Sequence, residues 1–229
     1  MNLRLNTLAK MVDPGSRVAD IGTDHAYLPI ELVKDSVIEY AIASDIAKGP
    51  LQNAQDDIKE ARLEDKIDTR LGSGLETVKH EDKIDTVVIA GMGGKLMSQI
   101  LETAWQKGFN FPTLILEPNI GEPGVRRWLI DHNYQIVGED LIAEAGHTYE
   151  LIKAVLTDEK HELTNKEVFF GPLILKSKNA NPVFKEKWTG QLIYHEKLLT
   201  NLNKAREKDT ERIKQVEDEI QLIKEVLID

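Results

Sequence analysis

Asp20-Ile-Gly-Thr-Asp-His-Ala26 begins within the short apolar run Val18–Ile21 and leads into Tyr27–Val33, which can restart the chain as a helix despite Pro29 in its first turn. A strand, a glycine turn and a helix N-terminus together offer backbone N–H groups to a nucleotide or to the tail of an amino-acid-like cofactor. A dinucleotide site wants G-x-G-x-x-G, of which only Gly22 is present. The pattern of S-adenosylmethionine (SAM) sites, an acidic residue and then x-Gly-x-Gly-x-Gly, keeps Asp20 and Gly22, with Asp24 and Ala26 where later glycines would stand. A plain strand-to-helix turn explains this stretch alone. Its weight comes from four later stretches at fitting distances.

About 20 positions on, Asp45 ends the apolar segment Glu39–Asp45, where an acidic side chain accepts the ribose hydroxyls of an adenosine. A helix cap is the competing and compatible role. Gly72-Ser73-Gly74-Leu75 follows Ile67–Leu71 and lets backbone approach a flat ring, with an ordinary turn as the even alternative. Gly91-Met92-Gly93-Gly94 closes the β-branched run Ile84–Ala90. Three glycines in four positions lose backbone entropy and fill no core, which favours a bare surface for a cofactor and a reacting atom. Pro118-Asn119 follows Thr113–Glu117, and the extended bias before proline carries that strand to the same edge.

The positioning elements follow from periodicity. The spacing predicts a helix over 2–11, helices over about 26–34, 49–62, 95–106 and 122–132, and closing strands at 134–137, 140–144 and 149–156. Five strand–helix units with an antiparallel ending make a doubly wound, mostly parallel α/β sheet with a mixed edge. Ligands bind such sheets outside the strand C-termini, where all the stretches above fall. Residues 1–158 are expected as this domain and 159–229 as a connector and helical hairpin. In the latter, Trp188, Leu192, His195, Leu199 and Leu202 face Ile213, Val216, Ile220, Ile223 and Leu227, with His195 read as a tolerated polar residue of the seam.

The net charge is −10, yet residues 159–229 carry 13 Lys+Arg against 13 Asp+Glu, so the excess lies before them. A nucleic-acid partner has to meet local basic patches. The chain has no cysteine, which removes thiol catalysis and thiolate metal sites, and no metal is expected. No apolar run reaches the ~20 residues of a membrane span and no signal-peptide pattern opens the chain, so the expectation is a cytoplasmic protein with no membrane partner.

Through Ala19–Pro29, Ile89–Gly94, Pro118-Asn119, Phe170-Gly-Pro172 and the Asn181–Trp188 region, the sequence resembles the bacterial tRNA (adenine(22)-N1)-methyltransferases. Glu117 departs from the pattern, since glutamine is expected there in at least some relatives. The resemblance implies a Rossmann-like class I methyltransferase domain, a coiled-coil-like C-terminal domain, SAM as donor and tRNA as substrate. It places Asp20, Gly22 and Thr23 at the methionine portion of SAM and Asp45 at its ribose. Gly72, Ser73, Gly74 and Leu75 then flank the adenine, and Ala90, Gly91, Met92 and Gly93 line the pocket near the sulfonium. Asp24, His25 and Asn119 become the catalytic candidates, the first two with an equally weighted role in holding the turn. Tyr27 is either a base-stacking ring or a core ring. Pro118, Asn119, Arg126, Arg127, Lys176 and Lys178 are substrate candidates, with Arg4, Lys10, Arg17, Lys185 and Lys187 as further basic ones. The hairpin is open to tRNA binding and to homodimerisation. Methylation of a small molecule or protein, or a non-catalytic SAM-sensing module, are the competing readings.

Overall fold

The computed structural model describes residues 2–205 and 207–228. Two compact units divide the chain, Met1–Leu173 and Ile174–Asp229. The boundary expected at 158 therefore falls inside the first unit. The reason is α6 (Asn165–Phe170), whose Val168 carbonyl accepts from Arg126, together with Leu173 three residues beyond it, which donates its N–H to Glu139.

In the first unit, α1 (Leu3–Met11) starts where the Asn2 side chain accepts from the Leu5 N–H at 2.9 Å, a side-chain cap. Strands β1 (Arg17–Ile21), β2 (Tyr40–Asp45), β3 (Ile67–Leu71), β4 (Thr86–Gly93) and β5 (Thr113–Ile120) run parallel. Helices α2 (Tyr27–Lys34), α3 (Lys48–Ala61), α4 (Gly94–Gln106) and α5 (Glu122–Asp131) alternate with them. Strands β6 (Tyr134–Glu144) and β7 (His147–Leu156) form an antiparallel hairpin that pairs with β5 through β7. The order β3-β2-β1-β4-β5-β7-β6 puts the topological switch between β1 and β4. Val87, Ile89, Leu114 and Leu116 pack in one core layer, and Val88 and Ile115 in the other. Both faces are covered, which is why these strands read as unbroken apolar runs.

Two elements depart from expectation. The segments 134–137 and 140–144 are one strand, interrupted only by a register shift between Ile136 and Gly138. Strand β4 continues through Met92 and Gly93, which pair irregularly with Pro118 and Ile120. Among the described residues, no helix is long and apolar enough to cross a membrane, and no cluster of His, Asp or Glu could hold a metal ion.

α7 (Pro172–Ser177) spans the division. In the second unit, α8 (Pro182–Lys204) and α9 (Thr210–Ile228) form the hairpin, with residue 206 of its joint outside the described residues. Trp188, Val216, Ile220, Ile223 and Val226 are buried, so Val226 rather than Leu227 takes the last seam position. His195 is the polar member of the seam, with Nε2 3.2 Å from Glu219 and Nδ1 2.7 Å from the Gln191 carbonyl.

Candidate active site

The turn after β1 is held by β2. Gly22 and Thr23 both donate their N–H groups to the Ser44 carbonyl, at 2.8 and 3.0 Å. These two donors, expected to face a cofactor, are spent inside the fold. Gly22 has φ +80°, and a Cβ there would lie 2.2 Å from Cε of Met92, so the position needs glycine on two counts. His25 (φ +66°) and Ala26 (φ +49°) are also left-handed, so alanine adopts the conformation a glycine would have supplied. Consecutive non-glycine residues in this region store strain, which tends to collect at functional sites.

Asp20 is buried beneath the turn. Burial pushes its carboxyl up to about 6, the neighbouring Thr23 pulls it back in part, and the charge of Asp45 adds to the rise. The Thr23 hydroxyl is itself buried, and among the described residues it completes no hydrogen bond of full geometry. Asp45 is half-buried and its Oδ1 accepts from the Ala47 N–H at 2.7 Å. It thus braces the loop before α3, whose cap is Ala47 rather than Asp45. Beside it Ile46 is 71 % exposed, an apolar side chain at a strand's C-terminus that periodicity gave no reason to single out.

Gly91 is bulged. Its neighbours Ala90 and Met92 pair with Glu117 and Pro118, and two side chains of β5 take over its own polar groups. Glu117 Oε2 accepts from the Gly91 N–H at 3.0 Å, and Asn119 Nδ2 donates to the Gly91 carbonyl at 2.7 Å. The latter bond uses one of the two Nδ2 hydrogens and leaves the other, together with Oδ1, to face a substrate. Pro118 is buried, which removes it as a contact and leaves exposed Asn119 in its place. Gly94, first of α4, has a packing reason: a Cβ would meet the Gly121 carbonyl oxygen at 2.6 Å. The four-residue glycine stretch is therefore only partly a site signature.

Next to the turn lies a cavity of about 260 Å³, bordered by α1 residues Arg4 and Leu5 and by Asp20, Asp24, Tyr27 and Ala90. Tyr27 is 49 % exposed, so it is not a core ring, and it stacks on His25 with centroids 5.0 Å apart. His25 Nδ1 lies 2.7 Å from Asp57 of α3, and Nε2 lies 3.7 Å from Asp24. A second cleft, about 400 Å³, runs between the 3-10 turn Gly74–Thr77 and α4. Gly72 and Gly74 sit too close to Thr77 and Ile100 for a Cβ, and the Leu75 side chain is buried, so this turn offers the cleft its backbone and Ser73.

Among the basic candidates, Arg126 is a correction. Its side chain is fully buried, pairs with Glu139 at 2.8 Å and with Glu150, and cannot reach a phosphate. A helical Arg beside another Arg gave no hint of this. Arg4 is paired with Glu117, and Arg17 lies over the Tyr40 ring. Arg127 and Lys176 are exposed, while half-buried Lys178 donates to the Val226 carbonyl. Arg4, Ile46 and Asp57 lie beside the candidate site, and sequence reasoning missed them or placed them elsewhere.

The residues fit SAM. Two carboxylates beside one glycine turn suit a ligand carrying a sulfonium and an ammonium, the Thr23 hydroxyl lacks a full partner, and exposed Ile46 offers an apolar surface to a base. The model of the tRNA (adenine(22)-N(1))-methyltransferase family matches residues 18–225. The tRNA (adenine(22)-N(1))-methyltransferase of Bacillus subtilis (strain 168) is 34% identical over 233 residues, covering 99% of this chain and 97% of that protein. A Streptococcus pneumoniae crystal structure in complex with S-adenosyl-L-methionine is 39% identical with a TM-score of 0.88, covering 99% of both chains. TrmK of M. capricolum, in complex with S-adenosyl-homocysteine, is 31% identical with a TM-score of 0.86, covering 99% of this chain and 97% of that one. The chain belongs to the tRNA (adenine(22)-N(1))-methyltransferase family.

Proposed function

We propose that this chain methylates N1 of adenine 22 in tRNA at the C-terminal edge of β1, β2, β4 and β5. When bound, SAM supplies a sulfonium methyl that the lone pair of adenine N1 accepts without prior loss of a proton, so the positive charge ends on the base. The protein's task is then alignment and placement of charge. Asp20, Gly22 and Thr23 hold the methionine end, and Asp45 takes the ribose through its free oxygen. Ser73, Gly74, Leu75 and Ile46 flank the adenine of the cofactor. Ala90, Gly91, Met92 and Gly93 form the floor. Adenine N1 lies on the Watson–Crick edge, so the target base leaves its stack to be reached. Tyr27 stacks on it, and Asn119 Oδ1 accepts from its exocyclic amino group. Asp24 balances the charge delivered to the ring. Asp57 accepts the His25 Nδ1 proton, which leaves Nε2 as the lone pair able to hold a proton on that side.

The observation that carries this reading is the cavity at the switch point, where Asp24, Tyr27 and Ala90 meet beside the bulged Gly91. Arg127, Lys176 and Lys178 are the phosphate contacts we assign. The second unit grips the tRNA, and the cytoplasm is where that substrate is met. Exposed Ile193 and Tyr194 on α8 favour homodimerisation as a second role for the hairpin, which sedimentation velocity decides. Methylation of a small molecule or protein, and a non-catalytic sensor, are disfavoured by family membership. The test is transfer from labelled SAM to unmodified tRNA with adenine at position 22 beside the same tRNA with guanine there. Label in the first alone is expected. Equal label in both discards the site, and label in neither discards the substrate.

A further inference from the structure

The Gly91 bulge is fixed from a third element that neither strand supplies. Glu117 is a carboxylate within the interior strand β5, with its side chain fully buried. A buried charge without compensation costs several kcal/mol, so its presence calls for a reason. Its Oε2 receives two donors, the Gly91 N–H at 3.0 Å and Arg4 Nη1 at 2.7 Å. Its Oε1 is buried with no hydrogen-bond partner among the described residues. Arg4 comes from α1, far away in sequence. Its guanidinium lies over the Tyr149 ring of β7, 5.5 Å from the centroid, and the adjacent Leu3 N–H donates to Glu144 of β6. Arg4 Nη1 would lie 3.4 Å from a Cβ on Gly91, so the guanidinium also packs against the bulge itself.

Gly91 has φ +77° and no strand partner opposite it. Without its two side-chain bonds, the peptide on either side could rotate at the entropy cost glycine always carries. Asn119 secures the carbonyl and Glu117 the N–H. Glu117 can serve as a charged acceptor only while its own charge is balanced. Burial raises its pKa, and Arg4 works against that rise.

We propose that Arg4 is a positioning residue for methyl transfer: through Glu117 it locks the Gly91 peptide, and so fixes the floor on which donor and acceptor are aligned. This rests on the reading of Ala90–Gly93 as that floor. Alignment is steep in its effect, since a misplacement of about 1 Å costs on the order of 100-fold in rate. The proposal removes Arg4 from the tRNA-phosphate contacts, although it is a partly exposed cation at the mouth of the cavity.

The test uses the full chain with Arg4→Ala and Arg4→Lys, measured twice. Amide hydrogen exchange at Gly91, without SAM or tRNA, reads the lock alone. Steady-state methylation of tRNA reads its consequence. In Arg4→Ala, Gly91 exchange is expected to quicken about tenfold or more and kcat to fall about tenfold or more, with the tRNA KM and its salt dependence within about twofold of the parent, a change worth under 1 kcal/mol. Arg4→Lys, which keeps the charge, is expected to recover most of kcat. Should Arg4→Ala fail to fold, Arg4→Gln replaces it with the same expectations. Unchanged exchange at Gly91 overturns the lock. Faster exchange with unchanged kcat overturns the positioning role. A raised tRNA KM with a shallower salt dependence and unchanged kcat also overturns it, making Arg4 a phosphate contact. If the parent protein methylates no adenine, the functional reading falls, and the exchange result still decides whether Arg4 locks Gly91.

Discussion

Gly93 and Gly94 are neighbours that the structure separates by role, and a pair of alanine substitutions tests the separation. A Cβ on Gly94 would lie 2.6 Å from the Gly121 carbonyl oxygen, 2.9 Å from that of Ile120 and 3.0 Å from the Gly121 carbonyl carbon. All three are backbone atoms, so no side chain can turn aside. Ordinary contact begins near 3.4 Å, leaving an overlap of about 0.8 Å that α4 or the loop after β5 must absorb by moving. Overpacking of this kind costs about 1–3 kcal/mol. At about 2–4 °C per kcal/mol for a chain of this length, a cost near the middle of that range, about 2 kcal/mol, is expected to lower the Tm of Gly94→Ala by about 4–8 °C. Gly93 has φ −69°, open to any residue, and its nearest neighbour would be Ile120 Cγ1 at 3.9 Å. Gly93→Ala is therefore expected to melt within about 2 °C of the parent, the scale of a harmless Gly→Ala exchange. Its loss should be in SAM affinity, by about tenfold or 1.4 kcal/mol, because the new methyl stands on the proposed floor. Thermal melting and calorimetric SAM titration on both variants decide. A Gly94→Ala protein melting with the parent refutes the packing argument, and a Gly93→Ala protein binding SAM with parental affinity removes Gly93 from the floor.

Two further outcomes concern the buried charges. Asp20 is raised from an ordinary 3.8 to about 6, so between these values the folded chain keeps a proton that the unfolded chain has lost. Stability therefore falls as pH rises through roughly 4 to 6, and at neutrality the carboxylate costs about 3 kcal/mol, which Asp20→Asn should relieve in part and whose pH slope it should abolish in melts taken across that range. SAM affinity should run the other way in the parent, dropping below about pH 6 as Asp20 loses the charge that attracts a cation, and a parent with pH-independent affinity excludes Asp20 from the cofactor site. Arg126→Ala strands Glu139 and Glu150 in the interior and should cost about 3–5 kcal/mol in urea unfolding while leaving the salt dependence of tRNA binding unchanged. Arg127→Ala should do the reverse, with parental stability and a salt slope reduced by about one.

What the sequence made legible was what local patterns encode. The apolar runs fixed the parallel strands because both faces of the sheet are covered, and each glycine turn fell at a strand C-terminus because the chain must reverse there. Those positions placed Gly22, Asp45 and Asn119 at the C-terminal edge, where the structure has them. Arg126 was misread because helix periodicity does not record which charge faces a buried pair of carboxylates on β6 and β7. Arg4 shows the same limit from the other side. It lies 113 positions from Glu117, on a short helix whose sequence calls for nothing but a cap and an apolar face, and only sheet closure brings the two to 2.7 Å. The departure at Glu117 did carry a signal. A carboxylate where an amide was expected needs a counter-charge if it is buried, as Glu117 is. The residue type thus implied a cation nearby without naming it. An unexpected charge points to a partner and the partner to a constrained peptide, and the constraint falls on the bulge that β4 and β5 could not hold by strand pairing alone.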